Sequence, residues 1–341
     1  MRYDDFCPFY ERGIGNIRRG FIGKVLISIF LSVAVLGAHY FAIGREVFVN
    51  FGWTLSIIIM VASLSLFYAT HIFRMLLLKL EGFLCQEKKD KLILLISIHL
   101  SDKRFIFSGL VFGILNSLMG EWFGLPKIYD SILDESILLA GYFVTGFVCG
   151  MALNGIVGVT KCITNIADVK STIFDYTSHD KCGGTQFIGW ALLVFSSVTL
   201  VVGVLITVYI SFTEWQHKDY IVVNMLYVCW VTLPYVASVF VLIVPAISIN
   251  RSLTNYKMEK DREFTESIKL IFDELESNNV TPERKSELYA DYEFQTNMRK
   301  ELYQMRTWPF SVGINTTYFL SVGSSIFTTY SSLNSWFISV P

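Results

Sequence analysis

A histidine, a carboxylate and a thiol occur close together at residues 178–184, which read SHDKCGG. His179, Asp180 and Cys182 are residue types that bind zinc, and a thiol beside a histidine is one arrangement of a nucleophile. Zinc requires a fourth ligand, or an open catalytic position with supporting side chains, and the other four histidines lie far away in the chain. The stretch therefore argues against a metal site.

Gly183 and Gly184 follow at once and precede a long apolar segment. Glycine allows positive φ and a tight turn, so these two residues favour a hinge where the chain enters the membrane. His179, Asp180 and Lys181 would then lie near the lipid headgroups or contact an anionic ligand.

A second set of candidate ligand residues lies between residues 284 and 308, where cations alternate with aromatic rings. Cations bind phosphates and flat rings stack on bases, with stacking worth about 1–3 kcal/mol per base. Residues 250–306 hold 10 basic and 12 acidic residues, so a broad nucleic-acid surface is excluded. A narrow site repeated around a symmetry axis stays open, as does a mixed-charge helix surface without a ligand. The candidates are Arg284, Lys285, Arg299, Lys300, Tyr303, Arg306 and Trp308.

Motifs of enzymes are missing from the sequence. There is no His-Glu-x-x-His, no Gly-x-Ser-x-Gly, no phosphate-binding loop with its lysine and no Gly-x-Gly-x-x-Gly after a strand. We therefore expect no catalytic residues, no metal and no cofactor.

The composition indicates a membrane protein. Of 341 residues, 53% are hydrophobic and 17% are charged, which is too little polar surface for a soluble globule. About 20 apolar residues cross a bilayer as a helix. We predict an all-α fold, a polytopic transmembrane helical bundle (residues 1–249) with a cytosolic helical hairpin. The predicted spans are 25–43, 52–73, 105–120, 137–160, 188–212 and 221–249.

The distribution of Lys and Arg predicts the orientation. Of 28 such residues, 25 lie on one side of the six spans and three on the other. Cytoplasmic loops retain Lys and Arg, so we expect the N-terminus and the segment after span six to be cytoplasmic.

The sequence pattern of residues 250–306 predicts the helical hairpin. Apolar residues recur at helical spacing between 259 and 276, and Thr281 precedes Pro282 and Glu283 as an N-cap before a second helix to about Met305. The hairpin could serve only to pack on itself or on neighbouring subunits.

Residues 307–341 contain no Asp, Glu, Lys or Arg and are rich in Ser and Thr. Hydroxyl and amide groups gain little in hydrocarbon, so this segment would pack on the membrane domain or re-enter it. A tail without a role is the alternative.

Small and polar residues inside the spans suggest packing and a pore. Gly109 and Gly113 in span three, and Gly146 and Gly150 in span four, form small-xxx-small motifs that let helices approach closely. Transporters usually carry ionisable residues at the midplane, which these spans lack, and this favours an oligomeric pore. The pore or packing candidates are Asn116, Glu121, Asn154, Asn315, Thr316 and Thr317.

The order HDKCGG, apolar helix, charged hairpin and TWPF resembles a group of prokaryotic multipass membrane proteins over residues 174–310. In size and layout the chain is also similar to membrane effectors of anti-phage defence, in particular the channel subunits of the Hailong system. That resemblance implies a homotetrameric ion channel in the bacterial inner membrane. It further implies a channel held shut by single-stranded oligodeoxyadenylate, made by a partner nucleotidyltransferase, and opened when phage nucleases remove the DNA.

Two functions therefore stay open. One is a ligand-gated, homo-oligomeric ion channel. The other is a membrane-anchored sensor or scaffold whose hairpin binds a protein partner.

Overall fold

The computed structural model describes residues 8–12, 21–49, 52–81, 86–123, 131–167, 174–213, 215, 221–276 and 281–310, with 323, 327 and 330. Every regular element in these ranges is a helix, so the predicted all-α class is confirmed. The helices are α1 Phe9–Arg12, α2 Phe21–Ile43, α3 Glu46–Val49, α4 Trp53–Glu81, α5 Gln86–His99, α6 Asp102–Trp122, α7 Ile132–Ala167, α8 Gln186–Phe212, α9 Ile221–Leu275 and α10 Pro282–Gln304.

Six segments in the described part of the chain are long and apolar enough to cross a membrane. They lie on α2, α4, α6 with the end of α5, α7, α8 and α9. Each of the six predicted spans falls on one of these segments. The chain is a multipass helical membrane protein.

Helix α4 is the centre of the bundle, since 67% of its apolar span is buried, against 11% for α2. It packs on α2, α7 and α8, while α6 pairs with α7 and α8 pairs with α9. The exposed apolar side chains of α2, α6 and α9 form the outer surface of the bundle. Such a surface suits hydrocarbon and would be unfavourable in water.

Helices α6 and α7 approach until their backbones touch. A Cβ atom added to Gly146 would lie 2.5 Å from the carbonyl oxygen of Phe112, and one added to Gly150 would lie 2.5 Å from that of Ser108. The Ser108 hydroxyl also donates to the Gly150 carbonyl at 2.8 Å. The two predicted glycines of span four therefore lie at the contact with span three.

The glycines of α6 receive aromatic rings from α7. The Phe147 ring lies against Gly109, and the Phe143 ring lies against Gly113, each within 3.0 Å of where a Cβ would be. All four predicted packing glycines thus belong to this one helix pair.

Helices α8 and α9 are joined by two serines. The Ser196 hydroxyl donates to the Ser238 carbonyl at 2.6 Å, and the Ser238 hydroxyl donates back to the Ser196 carbonyl at 2.8 Å. Seven residues further along α8, Gly203 makes room for Pro234, whose Cβ lies 3.1 Å from where a Gly203 Cβ would be. This pair is held by reciprocal hydrogen bonds and a small-residue contact.

Helix α9 does not end at the predicted edge of span six. It continues for 55 residues, about 80 Å at 1.5 Å per residue, from the membrane into the first arm of the hairpin. The sequence offers a reason, because it contains neither Gly nor Pro between Pro245 and Pro282. Only the polarity of the side chains changes after residue 250, and polarity alone does not break a helix.

Helix α10 forms the second arm. The Thr281 side chain accepts from the backbone N–H of Arg284 at 3.3 Å, and Pro282 occupies the first turn, so the predicted N-cap is confirmed. The arm runs back along α9 and buries Leu288 and Leu302.

Candidate functional site

The SHDKCGG stretch folds around the carboxylate of Asp180. One oxygen accepts from the backbone N–H groups of Cys182 (2.8 Å) and Gly184 (3.0 Å), and the other accepts from that of Gln186 (3.1 Å). Gln186 is the first residue of α8, so the negative charge also faces the positive end of that helix. Asp180 therefore closes the turn and caps α8.

The charged state of Asp180 is the state that this turn stabilises. Burial acts to raise the pKa of its carboxyl, but the three backbone hydrogen bonds, together with a hydrogen bond from the Ser178 side chain, outweigh burial and hold the pKa below its usual range. Asp180 is thus committed to the backbone of its own loop.

Positive φ angles make the turn possible. Gly183 has φ +64° and Gly184 has φ +82°, as the glycine pair predicted. Lys181 also has φ +52°, a conformation that is strained for a residue with a side chain. Its carbonyl accepts from the backbone N–H of Arg306 at 2.6 Å, a contact that helps to hold the strained conformation.

This turn packs against the segment that follows α10, and we call the contact between residues 180–189 and 305–310 the junction. The Cys182 thiol donates to the carbonyl of Trp308 at 3.5 Å. Gly189, in the first turn of α8, lies directly under the carbonyl of Pro309, where a Cβ would collide. The two motifs HDKCGG and TWPF, separated by 122 residues in the sequence, are therefore one contact in space.

The geometry of the junction gives no support to a metal site or a nucleophile. His179 is exposed, and in the described ranges no three His, Cys, Asp or Glu side chains lie close enough to hold a metal ion. Burial and the neighbouring Asp180 raise the pKa of the Cys182 thiol, although Arg306 acts to lower it. A thiolate is the reactive form, so this shift opposes nucleophilic chemistry.

Two candidate cations of the hairpin are already ion-paired. Arg299 Nε lies 2.7 Å from Asp261 Oδ1, and the Tyr303 hydroxyl donates to the same oxygen at 2.9 Å. Arg284 binds both carboxylate oxygens of Glu274 and also Glu287. These two arginines join α9 to α10, so their guanidinium groups are less accessible to a ligand.

The remaining candidates are exposed. Lys181 and Arg306 are adjacent through their backbone hydrogen bond, and both side chains reach solvent. Trp308, two residues after Arg306, is 45% exposed, while the 56% exposed Tyr303 lies with Arg299 and Asp261 on the hairpin. Lys285 and Lys300 are exposed elsewhere on α10. The exposed side of the junction therefore carries two cations and the ring of Trp308.

The polar candidates inside the spans have different surroundings. The Asn116 side chain donates to the Tyr142 carbonyl at 2.8 Å and so joins α6 to α7. Asn154 has a buried amide nitrogen without a hydrogen-bond partner in the described part of the chain. Glu121 is exposed at the end of α6. Asn315, Thr316 and Thr317 lie outside the described residues.

A buried ion cluster was not foreseen from the sequence. Glu11 is fully buried, and its carboxylate lies 2.8 Å from Lys24 Nζ and 2.5 Å from Arg74 Nη2. It joins α1 to α2 and α4. Since the partners are 13 and 63 residues away, no local pattern announces it.

No family model, no curated protein and no solved structure matches this chain. The resemblance to anti-phage channel subunits therefore stays a prediction.

Proposed function

We propose that the chain is the subunit of a homo-oligomeric, ligand-gated ion channel, with tetramers favoured. It would act in the bacterial inner membrane as an effector of anti-phage defence, closed by single-stranded oligodeoxyadenylate from a partner nucleotidyltransferase. The excess of Lys and Arg on one side supports a cytoplasmic N-terminus and hairpin.

The junction is the observation that carries this proposal. Helix α9 is continuous from span six into the hairpin, and the chain after α10 returns to the first turn of α8. A ligand that shifts the hairpin would thus act on spans five and six together. Gating requires such a connection between a ligand site and the spans.

The exposed side of the junction supports the choice of ligand. Lys181 and Arg306 offer charges to phosphates, and Trp308 offers a ring on which a base can stack. A site of two cations and one ring suits a short single strand and is in keeping with the slightly acidic hairpin.

Ion flux from proteoliposomes tests the channel. The purified protein would be reconstituted and flux measured with and without short oligodeoxyadenylate on the hairpin side. We expect flux that the oligonucleotide suppresses. Vesicles that stay impermeable under both conditions would overturn the proposal.

Variants test the ligand site. Lys181→Gln and Arg306→Gln keep the backbone hydrogen bond of the junction but remove the charges, so the oligonucleotide should no longer suppress flux. Arg262→Gln is the matched control, because the Arg262 side chain is 82% exposed on α9 and lies outside the junction. Suppression that survives in both junction variants would place the ligand elsewhere.

The alternative, a scaffold, is favoured by one observation. The hairpin exposes large apolar side chains, namely Leu270 (69%), Phe294 (58%) and Tyr289 (62%), and such surfaces mark interaction sites. A photoreactive residue at position 270 of the full chain would cross-link a second copy if the surface assembles the channel. Cross-links to a different protein alone, without flux, would favour the scaffold.

A further inference from the structure

A cavity of about 140 Å³ lies inside the bundle, between α4, α6, α7, α8 and α9. Ile58 and Ala62 line it from α4, Ala152 and Ile156 from α7, and Ala237 from α9. All of these residues belong to membrane-spanning segments. The cavity is therefore at the depth of the lipid hydrocarbon.

The polar groups in its wall are used within the protein. The hydroxyls of Tyr142 and Tyr209 pair with each other at 2.5 Å, and the Trp215 N–H donates to a backbone carbonyl at 3.0 Å. Backbone carbonyls also accept from the side chains of Ser65, Asn116, Thr145 and Thr199. A polar ligand or an ion would lose its water here and find few replacement partners.

One side of the wall reaches the outer surface of the bundle. Leu233 lines the cavity and is 45% exposed, and Met119, Val202 and Trp230 are half-buried there. The residues on either side of this part of the wall belong to the tightly packed helix pairs α6–α7 and α8–α9. The opening between them faces the bilayer.

We propose that this cavity binds the acyl chain of a membrane phospholipid. An apolar cavity of about 150 Å³ in a protein stays dry and takes up molecules such as benzene. The bilayer surrounds this opening with hydrocarbon at high concentration. The acyl chain enters past Leu233 and fills the space between the two helix pairs. The same apolar lining excludes ions, so the conduction path of the proposed channel lies between copies of the chain.

Photolabelling of the full chain in nanodiscs tests the proposal. The probe is a phosphatidylglycerol with a diazirine midway along one acyl chain, and peptide mass spectrometry locates the adducts after illumination. We expect adducts on cavity-lining residues, including those of α7 that face away from the bilayer.

Two variants at neighbouring positions provide the comparison. Ala237→Trp places a ring in the cavity and should abolish adducts on its inner wall. Val236→Trp is the matched control, since Val236 is 47% exposed on the outer surface and is not in the lining. If Ala237→Trp does not fold, Ala152→Leu fills the cavity from the opposite wall.

Either of two results would overturn the proposal. One is an unchanged set of adducts in a folded cavity-filling variant. The other is cross-linking of a photoreactive residue at position 233 to a second copy of the chain, which would assign the opening to a subunit interface.

Discussion

The helix pairs α6–α7 and α9–α10 are both antiparallel, but the first is held by close contact between backbones and the second by contacts between side chains. In α6–α7, Gly146 and Gly150 let the backbones touch. In α9–α10, charged side chains span the gap, as in the contact of Asp261 with Arg299. Lipid is as apolar as a leucine side chain, so spans gain from close contact. Helix α10 buries only two leucines, and besides the ring contact of Phe272 with Tyr292 it meets α9 through polar side chains.

The bundle also contains ion-paired side chains. Unlike the ion pairs of the hairpin, which reach solvent, the carboxylate of Glu11 is fully buried. Glu11→Gln leaves Lys24 and Arg74 facing a neutral group in a buried site, and we expect a loss of about 3 kcal/mol of unfolding free energy. Titration with denaturing detergent in mixed micelles measures it. Glu266→Gln, which removes an exposed carboxylate that pairs with Arg262, is the control and should change little. Equal effects would remove the distinction between the two regions.

Adding a single methyl group between α6 and α7, by the substitution of one glycine, tests how closely the two helices are packed. Gly150→Ala would place a Cβ 2.5 Å from a carbonyl oxygen, and we expect a loss of about 2 kcal/mol because neither backbone can move aside easily. Gly37→Ala in α2 is the control, since a Cβ at Gly37 meets nothing within 4 Å. The same detergent titration serves for both. A neutral Gly150→Ala would show that the pair is looser than its glycines suggest.

The junction lies between the two regions, and Asp180→Asn tests it. The amide loses the charge and one acceptor, so we expect α8 and the turn to lose about 1 kcal/mol. Since the folded-state pKa of Asp180 is lowered, its contribution is present above the unfolded pKa of about 3.9 and is lost as pH falls through the folded pKa. The difference between the two proteins should be constant near neutral pH and shrink in acid. A difference that grows in acid would contradict the assignment.

The smallest effect is expected in the hairpin. A double-mutant cycle with Asp261→Asn and Arg299→Gln should give a coupling of about 0.5–1 kcal/mol, because both side chains are about one-third exposed. Added salt should reduce the coupling. A coupling as large as the effect of Glu11→Gln would mean that the hairpin is held as firmly as the bundle.

Local signals predicted much of this fold. The spans follow from apolar length, and the start of α10 follows from Thr281 and Pro282. Helix α5 was not predicted, since its first residues, QEKKDK, lie between spans two and three, although Gln, Glu and Lys are good helix formers. Span six and the first arm of the hairpin were predicted as separate segments because polarity changes at residue 250, and the structure joins them in one continuous helix.

The site was harder to predict, for a physical reason. The exposed candidates at Lys181 and Arg306 were found by residue type, but only the fold brings them together. Arg284 and Arg299 were equal candidates by residue type, but each has a carboxylate partner on the facing helix, Glu274 and Asp261, which the sequence of α10 does not reveal.

The length of α9 turns it into a lever arm. From Pro245 to Leu275 it extends about 45 Å at 1.5 Å per residue. A change of about 5° in its direction at Pro245, where prolines commonly bend helices, displaces its far end by about 4 Å. Movements too small to disturb packing between the spans are thereby magnified to the width of a side chain at the hairpin tip. In the reverse direction, the same geometry converts a large displacement at the tip into a small, forceful one in the membrane.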